Sequence, residues 1–184
     1  MALVWKCEMF TLCNGFIRVG AARRGGDLPI SRTHRIKRSR NQSCLQEIPY
    51  YEVADKLKEL KFNPFRYRIA KVFTSSESGF MTFDDFLEMV TVMSDKAPLS
   101  SKLIWAFRIF DSNEDGRLCK EDLNVLLDVL SKKRLDQDLK DCLIDEVLNE
   151  ADEDGDRVLT YSEFARVMTL HSGPEFIRSF SFRL

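Results

Sequence analysis

Two twelve-residue stretches carry oxygen-bearing side chains at matching positions. Asp111–Asp122 reads DSNEDGRLCKED, with Asp111, Asn113, Asp115 and Asp122 at positions 1, 3, 5 and 12. Asp152–Glu163 reads DEDGDRVLTYSE, with Asp152, Asp154, Asp156 and Glu163 at the same four positions. A hard divalent cation needs about six or seven oxygens, and a short loop with this spacing can converge them. The position 7 carbonyl, from Arg117 in one loop and Val158 in the other, would add a backbone oxygen. Glu163 is long enough to bind through both carboxylate oxygens. Asp122 is one methylene shorter and is expected to reach with one, which favours Mg²⁺ or weak Ca²⁺ binding in the first loop. Position 6 is a sharp left-handed turn that suits glycine, and Gly116 supplies it. Arg157 stands there in the second loop, where a positive φ costs about 1–2 kcal/mol, so that site is expected to be weakened but not abolished.

The elements that must hold these loops are amphipathic helices. Leu103, Ile104, Phe107 and Phe110 precede the first loop at helical spacing, and Leu123, Leu126, Leu127 and Leu130 follow it. Leu139, Leu143, Val147 and Leu148 enter the second loop, and Phe164, Val167 and Met168 leave it. These spacings predict helices of about three turns. Leu118 and Leu159, at position 8, point into a core. A flanked pair of loops 41 residues apart is a tandem EF-hand.

A decayed copy lies upstream. Thr74–Asp85 keeps Gly79 at position 6, Met81 at position 8 and Asp85 at position 12, but Thr74, Ser76 and Ser78 bring no charge to positions 1, 3 and 5. Asn63-Pro64 predicts the start of its entering helix, with Phe65, Ile69, Val72 and Phe73 inward. Phe83, Phe86, Leu87 and Val90 form the following run. Ile48-Pro49-Tyr50 and Val53, Leu57 and Leu60 read as the last half of a fourth hand. The fold class is therefore all-α, with EF-hand helix-loop-helix pairs in two lobes. The expected division is a basic, disordered N-terminal segment at 1–47, a degenerate lobe at 48–97, an ion-binding lobe at 98–172 and an extension at 173–184. Within the first segment, 17–44 is too polar to offset its ordering entropy.

Composition narrows the function. The 184 residues carry 28 Lys+Arg and 29 Asp+Glu, a net charge of −1. Residues 1–47 hold 9 basic and 3 acidic residues, +6; residues 48–184 hold 19 and 26, −7. Near-neutrality is thus a cancellation between a basic arm and an acidic body. The basic stretch at 18–40 could meet anionic lipid or nucleic acid, but Arg-rich disordered arms are often just solvated, and no nucleic-acid partner is expected. Five cysteines without a CxxC pair argue against a disulfide framework or thiol zinc site and fit a reducing cytosol. Cys119, at position 9, is a poor ligand for a hard cation, so a water-mediated role or solvent exposure is expected. No Ser/His/Asp, Cys/His or phosphate-loop arrangement occurs, and the chain is not expected to be an enzyme.

From Ile48 onward the chain resembles the calcium- and integrin-binding protein family. KFNPFRYRIAKVF (61–73), FDDFLEM (83–89), AFRIFDSNEDG (106–116), CKEDL (119–123), EADEDGD (150–156) and PEFIRSFSFRL (174–184) carry the likeness, and CKEDL with the loop separation is nearest members 2 and 3. The resemblance implies a non-enzymatic Ca²⁺/Mg²⁺-responsive adaptor with a degenerate N-lobe and two working hands. It implies a hydrophobic channel for amphipathic helices from cytoplasmic segments of membrane proteins, including integrin α tails and, for some members, transmembrane channel-like proteins. The expected location is cytoplasmic, with recruitment to the plasma membrane through such partners. Family members usually begin Met-Gly; this chain begins Met-Ala, so no myristoylation site is expected at its N-terminus. The two N-terminal family helices have no counterpart in 1–47, which should leave the N-lobe core partly open. Gly173-Pro174 is expected to end one helix and start another, carrying Phe176, Ile177, Phe180 and Phe182 into a groove of the C-lobe. A calcium buffer and a metal-insensitive scaffold are the alternative functions.

Overall fold

A computed structural model describes residues 47–182. The expectations for 1–46, including the disordered stretch at 17–44, and for the side chains of Phe176 and Ile177 lie outside the described residues. Strand β1 (Ile48–Pro49) is followed by α1 (Tyr50–Lys56) and α2 (Arg66–Phe73), then β2 (Phe80–Met81) and α3 (Phe83–Val92). The second half contains α4 (Leu99–Phe110), α5 (Lys120–Ser131), α6 (Gln137–Ala151) and α7 (Tyr161–Ser179). The fold is a set of EF-hand helix pairs, with one two-residue antiparallel ladder that pairs Ile48 with Met81 and Pro49 with Phe80.

The pairing repeats in the second half, where Leu118 and Leu159 form an antiparallel bridge with N–H···O distances of 3.0 and 2.9 Å. Each bridge joins position 8 of two adjacent loops. Leu118, Leu159 and Met81 are almost fully buried, so the same residues close the ladder and plug the core beneath it.

One core runs through both lobes. Phe107 and Phe110 pack edge-on against Phe164, at 5.5 and 6.0 Å between centroids. Phe110 also meets Phe65, and Phe73 stacks on Trp105 at 3.9 Å, so α2 is joined to α4 across the lobes. Offset aromatic pairs of this kind add about 0.5–1.5 kcal/mol each beyond the area they bury.

Several sequence expectations are corrected. The helix after Asn63-Pro64 begins two residues late, because the buried Asn63 carboxamide accepts from the Phe65 N–H at 2.8 Å and holds a turn over the proline. On α4 the buried face is Lys102, Leu103, Ala106, Phe107, Ile109 and Phe110, while Ile104 is exposed. On α3 the core takes Asp85, Met89 and Val92, leaving Phe83 and Leu87 exposed. Leu139 is exposed as well. The break at Gly173-Pro174 is absent: α7 runs as one helix of 19 residues. Proline there removes a single backbone donor, a local loss that a long helix can carry.

Residues 180–182 dock at the junction between lobes. Phe182 donates its N–H to the Met93 carbonyl at 2.7 Å, and Phe180 is buried. Lys102, fully buried, donates to the carbonyls of Val92, Ser94 and Phe180 and to the Ser181 hydroxyl. Burial pushes its ammonium down to about 8, with Asp95 opposing. A lysine on an apolar helix face was the one sequence sign of this anchor. Among the described residues, no helix is long and apolar enough to cross a membrane.

Candidate metal centres

Both loops follow one backbone path. Each contains two residues with positive φ, at positions 4 and 6: Glu114 (64°) and Gly116 (80°) in the first, Gly155 (77°) and Arg157 (66°) in the second. Position 1 explains how these conformations are held. The Asp111 carboxylate accepts from the N–H groups of Glu114 (2.7 Å), Asp115 (3.3 Å) and Gly116 (2.9 Å). Asp152 accepts from Gly155 (2.7 Å) and Arg157 (2.8 Å). Each first aspartate therefore ties the two left-handed residues to the start of its loop.

Position 12 closes the other end. Asp122 accepts from the N–H and hydroxyl of Ser112 (2.9 and 2.6 Å) on one oxygen. Its other oxygen accepts from the N–H and thiol of Cys119 (3.1 and 2.9 Å). Glu163 repeats this with the Glu153 N–H (2.9 Å) and the Thr160 N–H and hydroxyl (2.9 and 2.7 Å). Cys119 is thus a helix-capping partner of Asp122 rather than a solvent-facing thiol, and burial pushes its thiol up to about 11. Burial alone would raise the Asp122 carboxyl, but bonds from Cys119 and Ser112 outweigh it and hold it below the usual range. Glu163 is lowered in the same way, with burial overcome by Thr160 and Glu153.

Carboxylate oxygens of Asp111, Asp115 and Asp122 lie within 4.8 Å of one another, as do those of Asp152, Asp154 and Asp156. Asn113 shares the first cluster through its amide, which donates to Asp115 at 2.8 Å. Arg117 and Val158 follow the second left-handed residue, with their N–H groups bonded to Asp115 and Asp156. Glu163 stands outside the second trio. The Asp156 N–H lowers the Asp154 carboxyl, yet desolvation and the nearby charges of Asp156 and Glu163 leave it raised overall. These all-oxygen, mutually repelling donor sets fit a hard cation such as Ca²⁺, which would supply the missing positive charge.

Two arginines complete the arrangement. Arg157 reaches back to Asn149 at 3.0 Å and to Asp145, fastening the second loop to its entering helix. Arg68, from α2, donates to the carbonyls of Arg108 (2.9 Å), Ile109 (3.3 Å) and Asp111 and to the Glu114 carboxylate (2.7 Å). It fastens the first loop to the other lobe. Sequence reasoning missed Arg68, which sits 46 residues from Glu114 and outside any loop motif. Arg117 spans the two loops, 3.4 Å from Asp156.

The model of the EF-hand domain pair matches residues 100–169. Calcium and integrin-binding family member 2 of Danio rerio is 38% identical over 126 residues, covering 68% of this chain and 66% of that protein. The Ovis aries member 2 is 39% identical over 126 residues, covering 68% of this chain and 70% of its own. Member 3 of Homo sapiens is 38% identical over 134 residues, covering 73% of this chain and 71% of that protein. The chain thus spans about two thirds of the length of these relatives.

Proposed function

The chain belongs to the calcium and integrin-binding family, and from that premise we propose that it is a calcium-responsive adaptor. Both loops bind Ca²⁺, and the shorter Asp122 makes the first also a Mg²⁺ site. The adaptor takes amphipathic helices from cytoplasmic segments of membrane proteins, with integrin α tails first and transmembrane channel-like proteins second. It acts in the cytoplasm and reaches the plasma membrane through those partners. The relatives' names support the calcium and integrin parts of this reading.

The observation that carries the proposal is the pairing of two equivalent loops through Leu118 and Leu159. A change of loop shape at one site has a direct route to the other, which suits a responder better than a pair of independent traps. Calorimetry with Ca²⁺ and Mg²⁺, then with an integrin α-tail peptide, tests it. Two bound Ca²⁺, competing Mg²⁺ at the first loop and cation-dependent peptide binding are expected. Asp122→Glu should tighten Ca²⁺ and loosen Mg²⁺ at that loop. Cation binding with unchanged peptide affinity would instead make the protein a buffer.

A further inference from the structure

Among the described residues, the N-terminal lobe lacks a wall that the C-terminal lobe has. In the second half, α4 enters the first ion loop and packs chiefly against α7. The matching bridges, Ile48 with Met81 and Leu118 with Leu159, make α1 the counterpart of α5 and α3 the counterpart of α7. Among the described residues no helix stands where α4 stands, because β1 is the first described element. The space between α1 and α3 is a groove of about 700 Å³, floored by Met81 and walled by Ile48, Val53, Leu57, Phe83 and Phe86. Phe83, 60% exposed, lines this groove together with the half-buried Phe86, so part of the apolar run that the sequence shows on α3 faces this side.

We propose that this groove is the docking site of the chain's own segment from Ala2 to Val19. The described chain begins at the groove's edge, where Ile48 is both the first strand residue and part of the lining. The stretch just upstream cannot fill it. Residues 29–40, PISRTHRIKRSR, offer only Ile30 and Ile36 against five basic side chains. The apolar content of the arm lies earlier, in Leu3, Val4, Trp5, Met9, Phe10 and Phe16, among which only Lys6 and Glu8 are charged.

Reach and charge agree. The 28 residues from 20 to 47 extend to tens of ångströms at about 3.3–3.6 Å per residue, enough to return from any part of the lobe. They are basic, while the outer side of α3 presents exposed Asp84 and Glu88 and no basic residue. The arm's +6 and the body's −7 then attract within one molecule.

The full chain with p-benzoylphenylalanine in place of Phe83 tests the proposal. Position 83 is exposed, so the change spares the core. On irradiation the expected product is a monomeric adduct joining the peptide around position 83 to residues 1–18. Its yield should not depend on protein concentration and should fall several-fold with Trp5→Asp and Phe10→Asp together. Adducts between chains that grow with concentration would place a second copy there instead. Those, adducts confined to 20–46, or no adduct to the first 19 residues would each overturn the proposal. A second reading uses Trp105→Phe, which leaves Trp5 as the sole indole. Its emission should be blue-shifted and shielded from iodide, and Phe83→Asp should expose it. An indole open to iodide in both proteins would contradict docking.

Discussion

In the first ion loop Glu114 and Gly116 take the two left-handed positions; in the second, Gly155 and Arg157 take them. Each loop has one glycine and one non-glycine at these points, in opposite order. The sequence motif, which looks for glycine at position 6 alone, marks the second loop as the flawed one. The backbone assigns the two loops the same strain. Each non-glycine is also held by a distant contact: Glu114 by Arg68 and Lys71, Arg157 by Asp145 and Asn149. Two sequences that differ at the most demanding position can therefore reach one geometry, provided the side chain there has somewhere to go.

The largest effect expected on this equivalence comes from the bridge the loops share. Leu118→Ala should cost about 2–5 kcal/mol in urea unfolding, as other buried leucines do. It should weaken cation binding at both loops; a loss confined to the first would break the pairing.

Arg68→Ala tests whether the loops differ in what supports them. Removing charged hydrogen bonds to the α4 carbonyls and Glu114 should cost about 1.5–3 kcal/mol. Cation affinity should fall at the first loop and hold at the second, since among the described residues Arg68 donates to Asp111, Glu114 and the end of α4.

Gly116→Ala and Gly155→Ala address the exchanged glycines. An added methyl meets nothing within 4 Å at either position, so only the backbone conformation is penalised. Each should destabilise the protein by about 1–2 kcal/mol, and by matching amounts in thermal unfolding. A neutral Gly155→Ala beside a costly Gly116→Ala would restore the motif's ranking.

The smallest effect concerns acid. Asp122 and Glu163 are both held below their ordinary values of 3.8 and 4.5, so the folded state takes up their protons less readily than the unfolded chain. The stability they contribute is complete above that range and is lost as pH falls through it. With chelator present, Asp122→Asn and Glu163→Gln should each flatten the acid limb of the stability curve by a similar amount. A flattening by only one variant would show that the two carboxylates are not equivalent.

Much of the site was legible because an ion loop is local: twelve consecutive residues at fixed spacing contain its carboxylates, its turn and its apolar plug. The EF-hand helix pairs were legible for the same reason. What the spacing hid was long-range or conformational. Arg68 acts from another lobe. Glu114 has the wrong residue type for the conformation it adopts, so no propensity rule finds it. Cys119 read as a bystander, because its bond to Asp122 depends on the helix-cap geometry. On α3 the periodicity located an apolar stripe but could not say that Phe83 and Leu87 face outward, since Met89 and Val92 supply an equally apolar inner face.

The two loops share one backbone path, with positive φ at positions 4 and 6, and both are proposed to bind Ca²⁺. Calcium titration of the chelator-treated full chain, followed by calorimetry and by backbone amide signals of Gly116 and Arg157, tests it most directly. Two bound ions per chain are expected, with both amides shifting. One bound ion, with the Arg157 signal unmoved, would contradict it.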